Sequence, residues 1–182
     1  LEQCKWADHD TFDQVTYDVT VPYIRMAAGP MDYTQGAMTN ANRQNFRAIY
    51  DEPMSQGTRC RQLAEYVVFE SPLNMLCDSP VKYRAASECA RFIAEVPTVW
   101  DETVALDGEV SKYVVMARRS GETWYVGALT DWNARELEVD LSFLPEGEYK
   151  VEIYQDGLNA DRFATDYVRY ETMLPADGIL RA

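Results

Sequence analysis

Carboxylates interleaved with aromatic rings open this sequence. Glu2, Asp8, Asp10, Asp13, Asp18 and Asp32 are mixed with Trp6, Phe12, Tyr17, Tyr23 and Tyr33. A sugar site uses such a set: two acids for proton transfer or nucleophilic attack, and flat rings that stack on the C–H face of the sugar. The same stretch also fits an acidic solvated loop with core aromatics. Two carboxylates stand out by context. Asp18 lies in the mainly apolar, β-branched run Thr16-Tyr17-Asp18-Val19-Thr20-Val21-Pro22, where desolvation would raise its pKa as a general acid requires; facing the surface is the plainer alternative. Asp32 lies in Gly29-Pro30-Met31-Asp32-Tyr33-Thr34, a constrained loop that can aim it inward or use it to cap a turn. Glu70 and Asp78 flank an apolar run and suit structural duties, while Glu136, Glu138 and Asp140 fall on the polar phase of a strand and read as a solvated face.

Other chemistries lack their residues. The four cysteines, Cys4, Cys60, Cys77 and Cys89, form no CxxC pair, and the single histidine is His9, so a structural zinc site has no ligand spacing and a Ser-His-Asp mechanism would rest on one residue. No phosphate loop or nucleophile elbow is present. The net charge of -13, with Lys+Arg 17 against Asp+Glu 30, repels polyanions, which disfavours nucleic acid and anionic membranes as partners. No stretch approaches the roughly 20 apolar residues of a membrane span, and Leu1-Glu2-Gln3-Cys4-Lys5 has no secretory pattern. With 47% apolar and 26% charged residues, a folded, soluble chain is expected. A sequence beginning at Leu1 is read as a piece of something longer.

The elements that must position these acids change character near Pro97. Cys60, Leu63, Ala64, Val67 and Val68 follow helical spacing and predict a helix over 58–71, ended by Ser71-Pro72. The apolar run Leu73–Cys77 predicts a short strand buried on both faces. Ser87 as N-cap, with Cys89, Phe92, Ile93 and Val96 on one face, predicts a second helix stopped by Pro97. Both helical cysteines read as buried thiols. Val15–Met26 is ambiguous between strand and helix, and Gly29–Asn45 reads as a long loop. Helix, buried strand, helix is an α/β rhythm. Beyond it the period becomes two: Tyr113, Val115 and Ala117; Trp124, Val126 and Ala128; Leu137, Val139 and Leu141; and Tyr149, Val151 and Ile153. Turn signals stand at Asp107-Gly108, Ser120-Gly121, Pro145-Glu146-Gly147 and Asp156-Gly157, which predicts an antiparallel sandwich or barrel.

Several strings are specific. Pro22-Tyr23-Ile24-Arg25-Met26-Ala27-Ala28-Gly29-Pro30-Met31-Asp32-Tyr33-Thr34, Met54-Ser55-Gln56-Gly57-Thr58-Arg59, Phe69-Glu70-Ser71-Pro72 and Trp100-Asp101-Glu102-Thr103, followed by Trp124-Tyr125-Val126-Gly127 and Asp140-Leu141-Ser142-Phe143-Leu144, together resemble the carboxyl-terminal part of glycoside hydrolase family 97. The resemblance implies a fold class of α/β plus all-β, with residues 1–98 as the carboxyl-terminal portion of a (β/α)8 TIM barrel and residues 99–182 as a carboxyl-terminal antiparallel β-sandwich domain. It implies hydrolysis of α-galactosides or α-glucosides in oligosaccharides, with paired carboxylates and a calcium ion. A barrel takes roughly 250 residues, so this chain alone is expected to be inactive and to need the amino-terminal part of the same protein. Both ends look trimmed, the last short of an expected final strand.

Carried over residue by residue, Glu2 resembles a family carboxylate near the calcium, a catalytic and metal-ligand position. The family's general acid is a glutamate shortly before a Pro-aromatic pair; here Asp18 precedes Pro22-Tyr23. Asp32 is kept as a substrate-binding candidate on the loop context given above, with turn capping as its alternative. Gln35-Gly36-Ala37-Met38 is closer to the retaining, α-galactosidase-type branch, in which an upstream aspartate is the nucleophile. A bacterial periplasmic or secreted location is likewise implied. A non-catalytic carbohydrate-binding or structural β-domain module is the alternative reading.

Overall fold

A computed structural model of the chain describes residues 12–176 and 178–181. Glu2, and with it the catalytic and calcium-ligand expectation, lies outside the described residues. The ambiguous run after Phe12 is helical. Asp13 caps α1 (Gln14–Asp18) by accepting from the Thr16 N–H, and Pro22 sits in the first turn of α2 (Val21–Ile24), where its missing N–H costs nothing. A 3₁₀ turn over Met26–Ala28 follows. The long loop holds only a two-residue strand, β1 (Asn40–Ala41), which pairs in parallel with β2 (Ser55–Gln56).

Three further helices complete the first half. Thr58 caps α3 (Arg59–Val68), and Ser79 caps α4 (Pro80–Ala85), which opens on Pro80. The last is α5 (Ser87–Glu95), where Ala86 rather than Ser87 holds the N-cap position. Leu63, Val67 and Val68 of the expected stripe are buried, with Cys60 and Ala64 half-buried. Cys60 and Cys89 are free thiols.

The run Leu73–Cys77 is not a strand buried on both faces. It makes one isolated parallel bridge, Tyr33 to Asn74, and leaves Leu73 68% and Leu76 59% exposed. An apolar run states a preference for burial without fixing what covers it. Parallel pairing among the described residues is confined to that bridge and to β1–β2; a barrel portion is not visible as such. No described helix is long and apolar enough to cross a membrane.

The antiparallel sheets expected of the second half are present. β3 (Glu102–Glu109), β4 (Tyr113–Ser120) and β5 (Thr123–Thr130) form a meander, β6 (Glu138–Asp140) pairs with β9 (Ile179–Arg181), and β7 (Glu148–Asp156) pairs with β8 (Tyr167–Pro175). Asp107-Gly108 is not a turn: it lies within β3, just after a bulge at Leu106, and the chain reverses at Ser111, whose φ is 65°.

The β3–β4–β5 sheet is a middle layer. Val114 of β4 joins Val19, Val21, Met31, Tyr33, Val68 and Phe69 on the helical side. Val115, one residue on, points the other way into a cluster with Val139 and Leu141, ringed by Leu174 and Leu180. Both faces of β4 are therefore buried. α3 seats against β5 at Gly127, where an added Cβ would stand 2.9 Å from Val67 Cβ and 3.0 Å from the Ala64 carbonyl oxygen. The β7–β8 hairpin folds back over α5, with the Phe92 and Tyr154 rings 5.0 Å apart and the Tyr167 hydroxyl donating to Glu88 at 2.7 Å.

Replacing Gly127 by Ala should therefore push α3 off the sheet. Backbone entropy favours alanine by roughly 0.5–1 kcal/mol, but overpacking costs about 1–3 kcal/mol, so a net loss is expected in the urea midpoint of Gly127→Ala. An unchanged or raised midpoint would show that the helix does not seat this closely.

Candidate functional site

The segment that carries Asp32 is fixed at both ends and along its length. It starts at Gly29, whose φ of 115° favours glycine, and the Arg25 guanidinium donates to the carbonyls of Gly29 and Pro30 at 3.3 and 3.2 Å. The Met31 N–H donates to the Glu70 carbonyl at 2.9 Å. Gln62 of α3 accepts from the Gly36 and Ala37 N–H groups at 2.9 and 3.0 Å, and the Tyr66 hydroxyl donates to the Gln35 carbonyl at 3.0 Å. Gly36, with φ 93°, leaves no room for a Cβ beside the Tyr66 hydroxyl. Met31 and Tyr33 are buried and Asp32 between them is exposed, as extended backbone dictates. The carboxylate thus points away from the face that packs on the core.

Behind this segment lies a buried charged cluster. Arg61 Nη2 is 2.8 Å from Asp18 Oδ2, and Arg61 Nη1 is 2.6 Å from Glu65 Oε1. Tyr33 donates its hydroxyl to Asp18 Oδ1, and Gln62 Nε2 reaches both Glu65 oxygens at 3.1 Å. Asp18 and Glu65 have no exposed surface. Two carboxyl groups face one guanidinium, so one of them keeps a proton. Burial, reinforced by the Asp18 charge, holds Glu65 well above the usual carboxylate range; burial also raises Asp18, against the opposing pull of Arg61 and the Tyr33 hydroxyl. Tyr33, pushed up by burial and by Asp18, stays a donor.

The structure thus separates the expected acids. Asp18 is desolvated with a raised pKa, but every atom faces protein, and a sugar oxygen reaches it only if Tyr33 and Arg61 part. Asp32 presents its carboxylate on the opposite side of the Tyr33 segment. Glu136, Glu138 and Asp140 are exposed on or beside β6. Among the described residues no three His, Cys, Asp or Glu side chains converge to hold a metal ion, so these residues do not fit a calcium cage. A cleft of about 490 Å³ between α4, α5 and the 74–76 segment is lined by Tyr66, Leu76, Tyr83, Ile93 and Val96 among others and by no carboxylate, a poor lining for a sugar.

Arg61, Gln62 and Glu65 carry this arrangement, yet on an amphipathic reading of α3 they occupy its polar side. The signal available was the Arg61–Glu65 spacing of four residues, which exposed helices use equally often. Arg118 was also missed. It sits on β4, has no exposed surface, and donates through Nε to the Val67 carbonyl at 2.7 Å, through Nη2 to the Val68 carbonyl at 3.1 Å and through Nη1 to Thr103 Oγ1 at 2.8 Å.

Comparison with known proteins gives these features a context. Residues 99–179 match the family model described as "Glycosyl-hydrolase 97 C-terminal, oligomerisation". The whole chain is 56% identical over 181 residues to a retaining alpha-galactosidase of Bacteroides thetaiotaomicron, of which it covers 27%. It is 31% identical over 138 residues, 76% of its length, to a probable retaining alpha-galactosidase of Streptomyces bingchenggensis, covering 20% of that protein. Among solved structures, a glycoside hydrolase family 97 enzyme from Pseudoalteromonas sp. strain K8, in complex with panose or with acarbose, superposes with a TM-score of 0.80 at 33% identity, over 91% of this chain and 26% of that one. The chain spans about a quarter of the length of the relatives it matches.

The buried cluster makes a pH-dependent prediction. Glu65 holds its proton in the fold and loses it on unfolding above about pH 4.3, so it removes stability as pH rises from there towards its raised native pKa. Glu65→Gln keeps a donor and an acceptor but does not titrate. Its apparent melting temperature should gain on wild type between pH 5 and pH 8; a difference independent of pH would refute the shared proton. Arg61→Met, which strands two carboxyls, should cost about 3–5 kcal/mol in the same melts.

Proposed function

We propose, on the premise that this chain is the carboxyl-terminal part of a family 97 glycoside hydrolase, that the whole protein is a retaining α-galactosidase acting on oligosaccharides and that Asp32 is this chain's contact with the sugar. The observation that carries the reading is the 56% identity, along the full chain, to a retaining alpha-galactosidase. In such a reaction one carboxylate attacks the anomeric carbon while a second group protonates the leaving oxygen, through an oxocarbenium-like transition state. The nucleophile is assigned to the part of the protein that precedes this chain. Asp32, a carboxylate with acceptor lone pairs only, suits sugar hydroxyls, and its anchored backbone sets their position before the sugar arrives.

Within this proposal the parallel contacts of 31–37 with 74–77 and of β1 with β2 belong to a (β/α)8 barrel whose other strands precede this chain, and residues 99–182 form a separate β-domain. Asp18 receives a positioning part, holding Tyr33 and Arg61. Glu2 is retained as the candidate calcium ligand and catalytic carboxylate; no step is derived through calcium. The periplasmic or secreted bacterial location belongs to the same proposal. A sugar-binding β-domain has less support, because its tryptophans are engaged in packing: Trp124 on Phe143 at 4.9 Å, Trp100 on Tyr125 at 5.4 Å, and Trp132 Nε1 bound to Asp13 at 2.9 Å.

The test is turnover of para-nitrophenyl α-galactoside and α-glucoside by the full-length protein. Faster cleavage of the galactoside is expected, with release of the α-anomer first, and no turnover by these 182 residues alone. Asp32→Ala should lower kcat/KM by about 10- to 100-fold, the worth of a hydrogen bond to a charged group, with an unchanged melting temperature. Cleavage of neither glycoside would sink the reading, and an unaffected Asp32→Ala would remove Asp32 from it.

A further inference from the structure

We propose that Arg118, a residue of the β-domain, is a positioning residue for the sugar-facing segment, holding the end of α3 so that Glu70 can anchor Met31 and thereby aim Asp32. The inference rests on the role given to Asp32 above. Its geometry stands independently.

The last carbonyls of a helix have no intrahelical donor and carry the negative end of its dipole. α3 ends at Val68, and the Val67 and Val68 carbonyls are two of these groups. Arg118 donates to both, and its third hydrogen bond, to Thr103, ties the guanidinium to β3. The nearest carboxylate oxygen, Glu70 Oε2, is 3.8 Å from Nη1 on a partly exposed side chain, so the helix carbonyls supply most of the opposing charge at hydrogen-bonding distance. The Trp100 ring closes the pocket, its centroid 5.9 Å from the guanidinium carbon. A buried guanidinium is a costly way to fill space that an apolar chain would fill more cheaply. What it adds is direction: two donors of a planar fork fix where the helix stops, and the third ties that fork to β3. Two residues past Val68, the Glu70 carbonyl accepts the Met31 N–H at 2.9 Å, and the Phe69 ring packs 4.6 Å from Tyr33. Both neighbours of Asp32 are therefore held by the corner that Arg118 fixes.

The experiment uses the full-length protein and three variants, read by amide hydrogen exchange over 26–37 and by kcat and KM for para-nitrophenyl α-galactoside well below the melting temperature. Arg118→Met fills the space without donors, Arg118→Gln keeps one amide donor, and Arg118→Lys keeps a charged donor. Arg118→Met should speed Met31 exchange and lower kcat/KM, each by about tenfold, the factor expected for one lost charged hydrogen bond. The Gln and Lys variants, which keep a donor without the planar fork, should each move the same way by less. Wild-type Met31 exchange in Met and Gln variants, or in whichever of the two folds, overturns the proposal even if melting falls. Faster exchange with kcat/KM unchanged overturns it too, leaving a purely structural cap. If wild type itself fails to cleave the galactoside, the functional reading falls; the exchange then decides alone whether Arg118 holds this segment.

Discussion

Seven of the ten residues of α3 are buried, so its polar groups must find protein partners rather than water. That constraint organises the protein. Near the start of the helix Arg61, Gln62 and Glu65 turn towards α1 and the 33–37 segment; at its end two carbonyls turn towards the β3–β4–β5 sheet. Each of these partners meets a polar group of α3; Arg61 Nε is buried without one. Leaving a buried donor or acceptor unpaired costs about 1–3 kcal/mol, more than a typical net hydrogen bond returns. Several such groups on one short helix are a strong reason for a single arrangement of everything that touches it.

The two buried guanidiniums on either side of this helix are neutralised differently. Arg61 meets two carboxyl groups, and burial together with the Asp18 charge raises the pKa of Glu65, favouring a proton there. Arg118 has no carboxylate within hydrogen-bonding distance and uses carbonyl dipoles, and burial lowers its pKa. Pairing with carboxyl groups, at 2.6 and 2.8 Å, makes the first cluster pH-sensitive. Pairing with dipoles makes the second insensitive to pH, because neither carbonyls nor the guanidinium titrate in the ordinary range.

How far the sequence foretold this follows from what periodicity can see. The stripe of α3 and the alternation of β5, β6 and β7 were legible because each element hides one face and shows another. The failures came where that premise breaks. β4 buries both faces, so Val114 and Val115 look alike and Arg118, between Ala117 and Arg119, gives no sign of lying inside. β3 and β8 carry charged residues along half-exposed faces and were passed over. Leu73–Cys77 is apolar yet exposed among the described residues. Asp18 and Asp32 both sit among apolar neighbours, and only the tertiary placement of α3 decides that one faces inward and the other outward.

The β-domain meets the helical layer at more than one kind of contact. Trp132 donates to Asp13, the residue that caps α1; Tyr23 donates to the Tyr113 carbonyl at 2.8 Å; Val114 and Leu129 share a core with Val19, Val21 and Met31. These contacts bracket the stretch from Asp13 to Tyr33, which includes Asp18 and Asp32. Peeling the sheet away would expose the Val114 core, free the α1 cap from Trp132 and leave the end of α3 without its donor in one step, so the losses are coupled rather than additive. A sheet attached in this way is continuous with the scaffold of the segment that carries Asp32, joined to it by shared packing and by backbone hydrogen bonds.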